Sequence, residues 1–118
     1  MKENILKEKS FGFAIRIIEL CKFLKTEQLE YVLSKQILRS GTAIGANIRE
    51  AEFAESTRDF IHKLSVSLKE ANETKYWLEL LFASKMIEEK LFQSFVFDCD
   101  EILKLLVASI NTSKRKLS

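Results

Sequence analysis

Residues 56–82 read STRDFIHKLSVSLKEANETKYWLELLF, and this stretch decides the fold. Its first four residues form a capping box, in which the Ser56 hydroxyl and the Asp59 carboxylate each accept a hydrogen bond from an unpaired backbone N–H at a helix start. Apolar residues then recur at helical spacing at Phe60, Ile61, Leu64, Leu68, Ala71, Leu78, Leu81 and Phe82. This pattern predicts a long amphipathic helix over about residues 56–84.

Three further segments have the same helical periodicity, over about residues 5–24, 28–54 and 88–111. With no proline and three glycines, the chain has too few turn residues for a many-stranded sheet. The links between the segments are short, which makes consecutive helices antiparallel neighbours. We therefore predict an all-α fold, an antiparallel up-and-down four-helix bundle. It forms a single domain over residues 1–118 with a basic C-terminal tail at 112–118.

Composition places the chain among ordinary globular proteins, with 118 residues of which 47% are hydrophobic and 31% charged. The formal net charge of +2 is too small to indicate a nucleic-acid or membrane partner by itself. Cys21 and Cys99 lie in apolar stretches, so we expect buried thiols in a reducing compartment. No window approaches the roughly 20 apolar residues that span a bilayer. We therefore expect a cytoplasmic protein without membrane contact.

Few side chains are suited to catalysis or to metal binding. The single histidine, His62, and two cysteines on different predicted helices provide no pair with the spacing of a zinc site. Gly41 and Gly45 lie within a helical pattern with no strand before them, so they do not form a phosphate-binding loop. We predict no catalytic residues, no metal, no cofactor and no enzymatic activity.

The segment over residues 28–54 has an unusual middle, because Gly41 and Gly45 are spaced four residues apart. Each glycine costs about 1 kcal/mol relative to alanine in a helix interior. Two interpretations stay open: the segment breaks into two helices there, or a neighbouring helix packs closely on a surface of small residues. At the start of the segment, Thr26 followed by Glu27 is typical of a helix cap.

Five polar residues flank the apolar faces of the second and third helices. They are Arg39, Asn47, Glu50, Glu70 and Glu73. The spacing allows a partly buried polar network that fixes the helix register, and equally a set of side chains that edge the core and face water. Trp77, beside Tyr76, is interpreted as core or interface packing in preference to a platform for base stacking.

The fourth predicted helix is apolar on two sides. One stripe contains Phe92, Val96, Cys99, Leu103, Leu106 and Ile110, and it is widened by Leu91, Phe95, Ile102 and Leu105. Every helix of a four-helix monomer is peripheral, so the excess apolar surface predicts contact with another subunit.

Three motifs resemble those of a bacterial family of four-helix-bundle proteins. They are SKQILRSGTAIGANIREA at residues 34–51, DFIHKL at 59–64 and KEANETKYWL at 69–78. The family is that of the 23S rRNA intervening-sequence proteins, and the accessory variability protein of diversity-generating retroelements is a more distant relative. The resemblance covers about residues 5–110.

The resemblance implies an antiparallel four-helix bundle, a ring-like homopentamer and no enzymatic activity. The retroelement relative binds nucleic acid and its reverse transcriptase, which suggests RNA, DNA or a protein encoded nearby as partners. Leu38 stands where many members have a second arginine, and this departure weakens the case for nucleic-acid binding. The residues that match Arg39, Asn47, Glu70 and Glu73 are structural in this family, which favours the polar network.

Our leading hypothesis is therefore a non-enzymatic homo-oligomeric adaptor that binds RNA or DNA through a basic face of the oligomer. The residues proposed for that face are Arg16, Lys22, Lys25 and Lys35. The alternative is an assembly module that binds only proteins. Gly41 and Gly45 serve close helix packing under either hypothesis.

Overall fold

The chain folds into four α-helices, and the computed structural model describes residues 2–117. Their bounds are Lys2–Thr26 (α1), Leu33–Ala51 (α2), Thr57–Ala83 (α3) and Glu89–Leu117 (α4). Each helix packs against the next and α4 packs back on α1, in a bundle of 49 × 21 × 20 Å. The predicted all-α four-helix bundle is confirmed. Met1 and Ser118, the ends of the predicted domain, lie outside the described residues.

The core runs along the centre of the bundle and receives side chains from every helix. Ile17, Ile44, Leu78 and Leu106, one from each helix, are fully buried. A buried aliphatic side chain of this size stabilises the fold by about 1.5–3 kcal/mol. Small polar groups also pair inside the core, and the hydroxyl oxygens of Ser40 and Thr74 lie 2.8 Å apart across the α2–α3 contact.

The second helix begins later than predicted, at Leu33 and not near residue 28. Thr26, the expected cap, belongs to the last turn of α1, where its hydroxyl donates to a backbone carbonyl 2.8 Å away. Leu29 has a φ of 53°, in the left-handed region, and the chain reverses there. The Glu30 carboxylate accepts the N–H groups of Val32, Leu33 and Ser34 at 3.0, 2.8 and 2.8 Å. A glutamate side chain therefore caps α2 from within the connection.

The predicted start of the third helix is confirmed. Ser56 is the residue before α3, and its hydroxyl accepts the Asp59 backbone N–H at 3.1 Å. The Asp59 carboxylate accepts the N–H of Glu55, one residue further back than a capping box places it. The helix ends at Ala83, and Lys85, with a φ of 64°, turns the chain towards α4.

The fourth helix extends through most of the segment predicted as a basic tail. It continues to Leu117, with Ser113 buried against the bundle and Lys114, Arg115 and Lys116 in its last turn. Cations are favourable there because they interact with the unpaired carbonyl groups at a helix C-terminus. The prediction of a tail from residue 112 was therefore wrong for residues 112–117.

Candidate functional site

An ion-pair cluster joins α2 to α3 on the surface of the bundle. The Arg39 guanidinium donates to Glu70 at 3.1 Å and also to the Glu73 carboxylate. The Trp77 indole N–H donates to the same Glu73 carboxylate at 3.0 Å. Half of the Arg39 side chain is exposed, whereas the Glu70 side chain is only 20% exposed, so the cluster lies at the edge of the core.

The hydrogen bonds of this cluster favour the ionised forms of both Arg39 and Glu73. The hydrogen bond from Arg39 is the main reason why the pKa of Glu73 is lowered, and the bond from Trp77 acts in the same direction. The bond to Glu73 is likewise the main cause of the raised pKa of Arg39. A carboxylate with a lowered pKa stays ionised at neutral pH, so this geometry favours a clamp between helices over proton transfer.

Asn47 and Glu50, the other two members of the predicted network, lie apart from this cluster. The Asn47 amide donates to the backbone carbonyl of Ala43 at 2.9 Å, within its own helix. Glu50 pairs with Lys63 of α3 at 3.5 Å. The structure thus brings together three of the five predicted residues. It adds Trp77, whose position four residues after Glu73 was a readable signal for a contact within one helix.

Gly41 and Gly45 lie where α1 approaches α2, and α2 continues through both without a break. A Cβ atom on Gly41 would come within 2.9 Å of Ile17 Cγ1 and 3.0 Å of Ile17 Cγ2. A Cβ atom on Gly45 would meet the Ser10 hydroxyl oxygen at 3.2 Å. The branched side chain of Ile17 is fully buried, so it has little room to move away. Close approach of two helices is therefore tightest at Gly41.

The four cations proposed for a nucleic-acid face do not share one surface of the chain. The Arg16 guanidinium lies 2.6 Å from Asp98 and 4.1 Å from the centre of the Phe95 ring, at the seam between α1 and α4. Lys25 comes nine residues later, which is two and a half turns, and therefore projects from the opposite side of α1. Within one chain Arg16 therefore does not join the lysines, because its position is set by Asp98, 82 residues away.

The three predicted lysines lie at one end of the bundle, around the α1–α2 connection. The Cys21 thiol donates to the Ser34 carbonyl at 3.2 Å, which places Lys25, one turn after Cys21, near the start of α2. Lys35 directly follows Ser34 and is exposed. Lys22 is exposed and makes a long ion pair of 3.4 Å with Glu19.

The excess apolar surface expected on α4 is largely packed within the chain. Phe92 stacks on Phe82 of α3 with ring centres 4.5 Å apart, and Val96 and Leu103 are partly buried against the core. Phe97, at 69% exposure, is the most exposed apolar side chain of α4 in the described part of the chain. The two-sided stripe is thus explained by intrachain contacts and does not itself indicate a second subunit.

Helix α1 instead exposes an apolar stripe that sequence reasoning missed. Phe11, Ile15 and Ile18 point outward, with exposures of 62%, 50% and 40%. Their spacing of four and three residues was a readable signal in the sequence. An exposed stripe of this kind is typical of a protein contact.

The reactive side chains lie outside any common site. Cys21 and Cys99 are buried free thiols, and burial raises the pKa of both, to about 12 for Cys99. His62 is exposed on α3. Over residues 4–117 no three His, Cys, Asp or Glu side chains are grouped to hold a metal. None of the four described helices is long and apolar enough to cross a membrane.

Comparison with known proteins places these features in a family. The model of the 23S rRNA-intervening sequence protein family matches residues 2–108. A crystal structure of a protein with unknown function from the S23 ribosomal protein family of Bacteroides thetaiotaomicron is 58% identical in sequence. It superposes with a TM-score of 0.93, covering 94% of this chain and 99% of that one. A comparison with curated proteins gave no match.

Proposed function

Because the chain belongs to the 23S rRNA-intervening sequence protein family, we propose that it is a non-enzymatic adaptor that assembles with copies of itself. The ring-like homopentamer implied by the family resemblance is the assembly that we propose. The buried free thiols suit a reducing compartment, so the proposal places the adaptor in the cytoplasm.

Self-assembly is supported by one observation, the concentration of exposed apolar side chains on α1 and on the connections next to it. Most of those that the described residues expose lie on α1 and on the connections at either end of α2: Ile5, Phe11, Ile15, Ile18, Phe23, Leu29, Tyr31, Val32 and Phe53. Scattered apolar residues are normal on a surface, whereas a contiguous group marks a contact with another molecule.

Light scattering coupled to gel filtration tests the assembly. We expect a mass equal to five times the 13.7 kDa chain mass. A different multiple would retain the self-assembling adaptor and exclude the ring of five. The mass of a single chain at micromolar concentration would overturn the proposal.

Binding of RNA or DNA is a second candidate function, and the lysines at the α1–α2 end favour it. Lys22, Lys25 and Lys35 lie near one another there, and assembly would repeat the group in each subunit. The nearby Glu30 has an opposing negative charge, but three backbone N–H groups hold its carboxylate at the start of α2, away from a direct pair with a lysine. Contacts to phosphate would dominate, and binding would then depend strongly on salt and weakly on sequence.

Fluorescence anisotropy with labelled RNA and duplex DNA tests this candidate. We expect binding at 50 mM salt that falls steeply by 200 mM, as is typical when about six or more phosphates are neutralised. Changing Lys25 and Lys35 to Gln should weaken it, whereas the same change at the exposed Lys69 and Lys104 should not. No binding at 50 mM salt and tens of micromolar protein would leave the adaptor that binds only proteins.

A further inference from the structure

The end of the bundle at which α4 finishes, here called the C-terminal end, carries a group of exposed cations. After Glu101 the chain has no acidic residue and four basic ones, Lys104, Lys114, Arg115 and Lys116. The last three lie in the final turn of α4 and are exposed. The Arg115 guanidinium donates to a neutral group, the Thr112 hydroxyl, at 3.3 Å, so this contact leaves its charge uncompensated.

Packing against the bundle holds this turn of α4 in place. Ser109, Ile110 and Ser113 are each only 6% exposed. The helix runs without interruption from Glu89 to Leu117. The cations are therefore presented on an anchored helix, and a surface whose backbone is already ordered loses less entropy when it binds a partner.

The first turn of α3 adds Arg58 to the same end. The Lys75 ammonium of α3 lies 2.8 Å from the Asp100 carboxylate of α4, which sets the register of these two antiparallel helices. From this pair, Arg58 is 17 residues back along α3 and Arg115 is 15 residues forward along α4. At 1.5 Å per residue the two distances are about 26 and 23 Å, so both arginines lie at one level of the bundle. Arg58 is exposed there.

The acidic side chains near this end are largely held by other groups. The Glu50 carboxylate pairs with Lys63 at 3.5 Å, and the Glu52 carboxylate pairs with Lys7 at 3.2 Å. The Asp59 carboxylate accepts a backbone N–H at 3.1 Å in the cap of α3. Two helices begin at this end and two finish there, so their dipoles oppose one another. Side-chain charge therefore decides the sign of the field, and the last turn of α4 makes it positive.

We propose that the C-terminal end of the bundle is a second surface for the phosphate backbone of RNA or DNA. The inference rests on the candidate binding of nucleic acid proposed above, and it adds a surface that contains none of the lysines at the α1–α2 end. Arg58 and Arg115 suit this partner, because a planar guanidinium donates two parallel hydrogen bonds to one phosphate. Contacts to phosphate carry no information on base sequence.

An anionic membrane, the other large source of phosphate groups, fits this end less well. Binding in a membrane interface needs an apolar face beside the cations. In the described last two turns of α4, Leu117 is the one large apolar side chain that is exposed. Phe53, exposed after α2, belongs to the group proposed for self-assembly.

The two basic surfaces lie at opposite ends of a bundle that is 49 Å long. A DNA duplex of 10 base pairs is about 34 Å long at 3.4 Å per base pair. It cannot reach from one end of a bundle to the other, so each surface binds its own short duplex. A short duplex therefore measures the two surfaces separately.

Saturation binding of a fluorescein-labelled duplex of 10 base pairs at 50 mM salt tests the second surface. We expect Arg115→Gln with Lys116→Gln to lower the number of duplexes bound per chain. Adding Lys25→Gln and Lys35→Gln should abolish binding. Arg115→Lys with Lys116→Arg is the matched control, because it keeps both charges and should bind as the parent does. Unchanged circular dichroism and an unchanged mass by light scattering would verify the fold and assembly of each variant.

The salt dependence tests the contribution of α3 to the same surface. In a chain with Lys25→Gln and Lys35→Gln, only the C-terminal end binds. Adding Arg58→Gln there should lower the slope of log affinity against log salt by about 1, as expected for the loss of one phosphate contact. Lys69→Gln, at an exposed lysine further along α3, should leave the slope unchanged.

The outcomes separate this surface from the candidate function on which it rests. No binding by the unmodified protein at 50 mM salt and tens of micromolar protein would overturn both. Binding by the parent that Arg115→Gln with Lys116→Gln leaves unchanged would overturn only the second surface. An equal loss in the charge-preserving control would assign the effect to the shape of the α4 end and overturn the phosphate contact. Preferential capture by phosphatidylglycerol vesicles, lost in the same Gln variant, would assign the surface to a membrane instead.

Discussion

At Gly41 the absence of a single carbon atom allows two helices to approach closely. Gly12, in the middle of α1, is a natural comparison. Beyond its chain neighbours and the nearby backbone of its own helix, no atom lies within 4 Å of a Cβ added there. The two glycines have the same cost in helix propensity, about 1 kcal/mol relative to alanine. They differ only in what a methyl group would contact.

We expect Gly41→Ala to destabilise the fold by about 1–3 kcal/mol, because overpacking against the buried Ile17 outweighs the gain in propensity. Gly41→Leu should cost more. Gly12→Ala should stabilise the fold by about 0.5–1 kcal/mol. Urea denaturation measures both, and a Gly41→Ala variant more stable than the parent would refute close packing at this position.

Glu73 links the ion-pair cluster to acid stability. Its pKa is lowered in the folded chain, so its contribution is present above the ordinary value of 4.5 and is lost as the pH falls through the lowered value. We expect Glu73→Gln to lower stability at pH 7 by no more than about 1 kcal/mol, because the pair is partly exposed. The difference from the parent should shrink below pH 4.5. An equal difference at pH 7 and pH 3, with exposed Glu79→Gln as control, would contradict this role.

At the scale of the helices, what could be predicted from the sequence depended on how local the signal was. The start of α3 was predictable because Ser56 and Asp59 act within four residues. The start of α2 was not, because its cap is a glutamate in a left-handed turn, outside the usual set of capping residues. The run Lys114, Arg115 and Lys116 resembles a solvated tail, yet the same cations suit the last turn of a helix.

In the candidate site, too, contacts with a short-range sequence signal could be predicted and contacts between distant segments could not. Arg39 could be matched with Glu70 and Glu73 because polar stripes on neighbouring antiparallel helices face each other. Asn47 lies on the same stripe, but its side chain bonds within its own helix, which spacing alone does not specify. The Arg16 contact with Asp98 depends on how α1 meets α4, across most of the chain, and no local pattern encodes it.

The role of Glu30 in capping α2 can be tested by substitution. Glu30→Ala removes the acceptor of three backbone N–H groups, and we expect a loss of about 1 kcal/mol in the free energy of unfolding. Glu27→Ala, an exposed glutamate three residues earlier in the same connection, should have a much smaller effect. Equal effects in urea denaturation would indicate that the cap does not stabilise α2.

For the whole molecule, the distribution of exposed apolar side chains says more about what the chain binds than the distribution of charge does. The net charge is only +2, and Arg16 is held by Asp98, so a single chain has a weak positive field. The exposed stripe of α1, by contrast, is contiguous and lies on a helix anchored to the core. We therefore propose self-assembly through protein contacts, and any binding of a polyanion follows from repetition of the lysines within the assembly.

Native mass spectrometry of the unmodified chain tests self-assembly, because it counts the chains in each complex. We expect complexes of five 13.7 kDa chains. A spectrum that contains only single chains at micromolar concentration would contradict it.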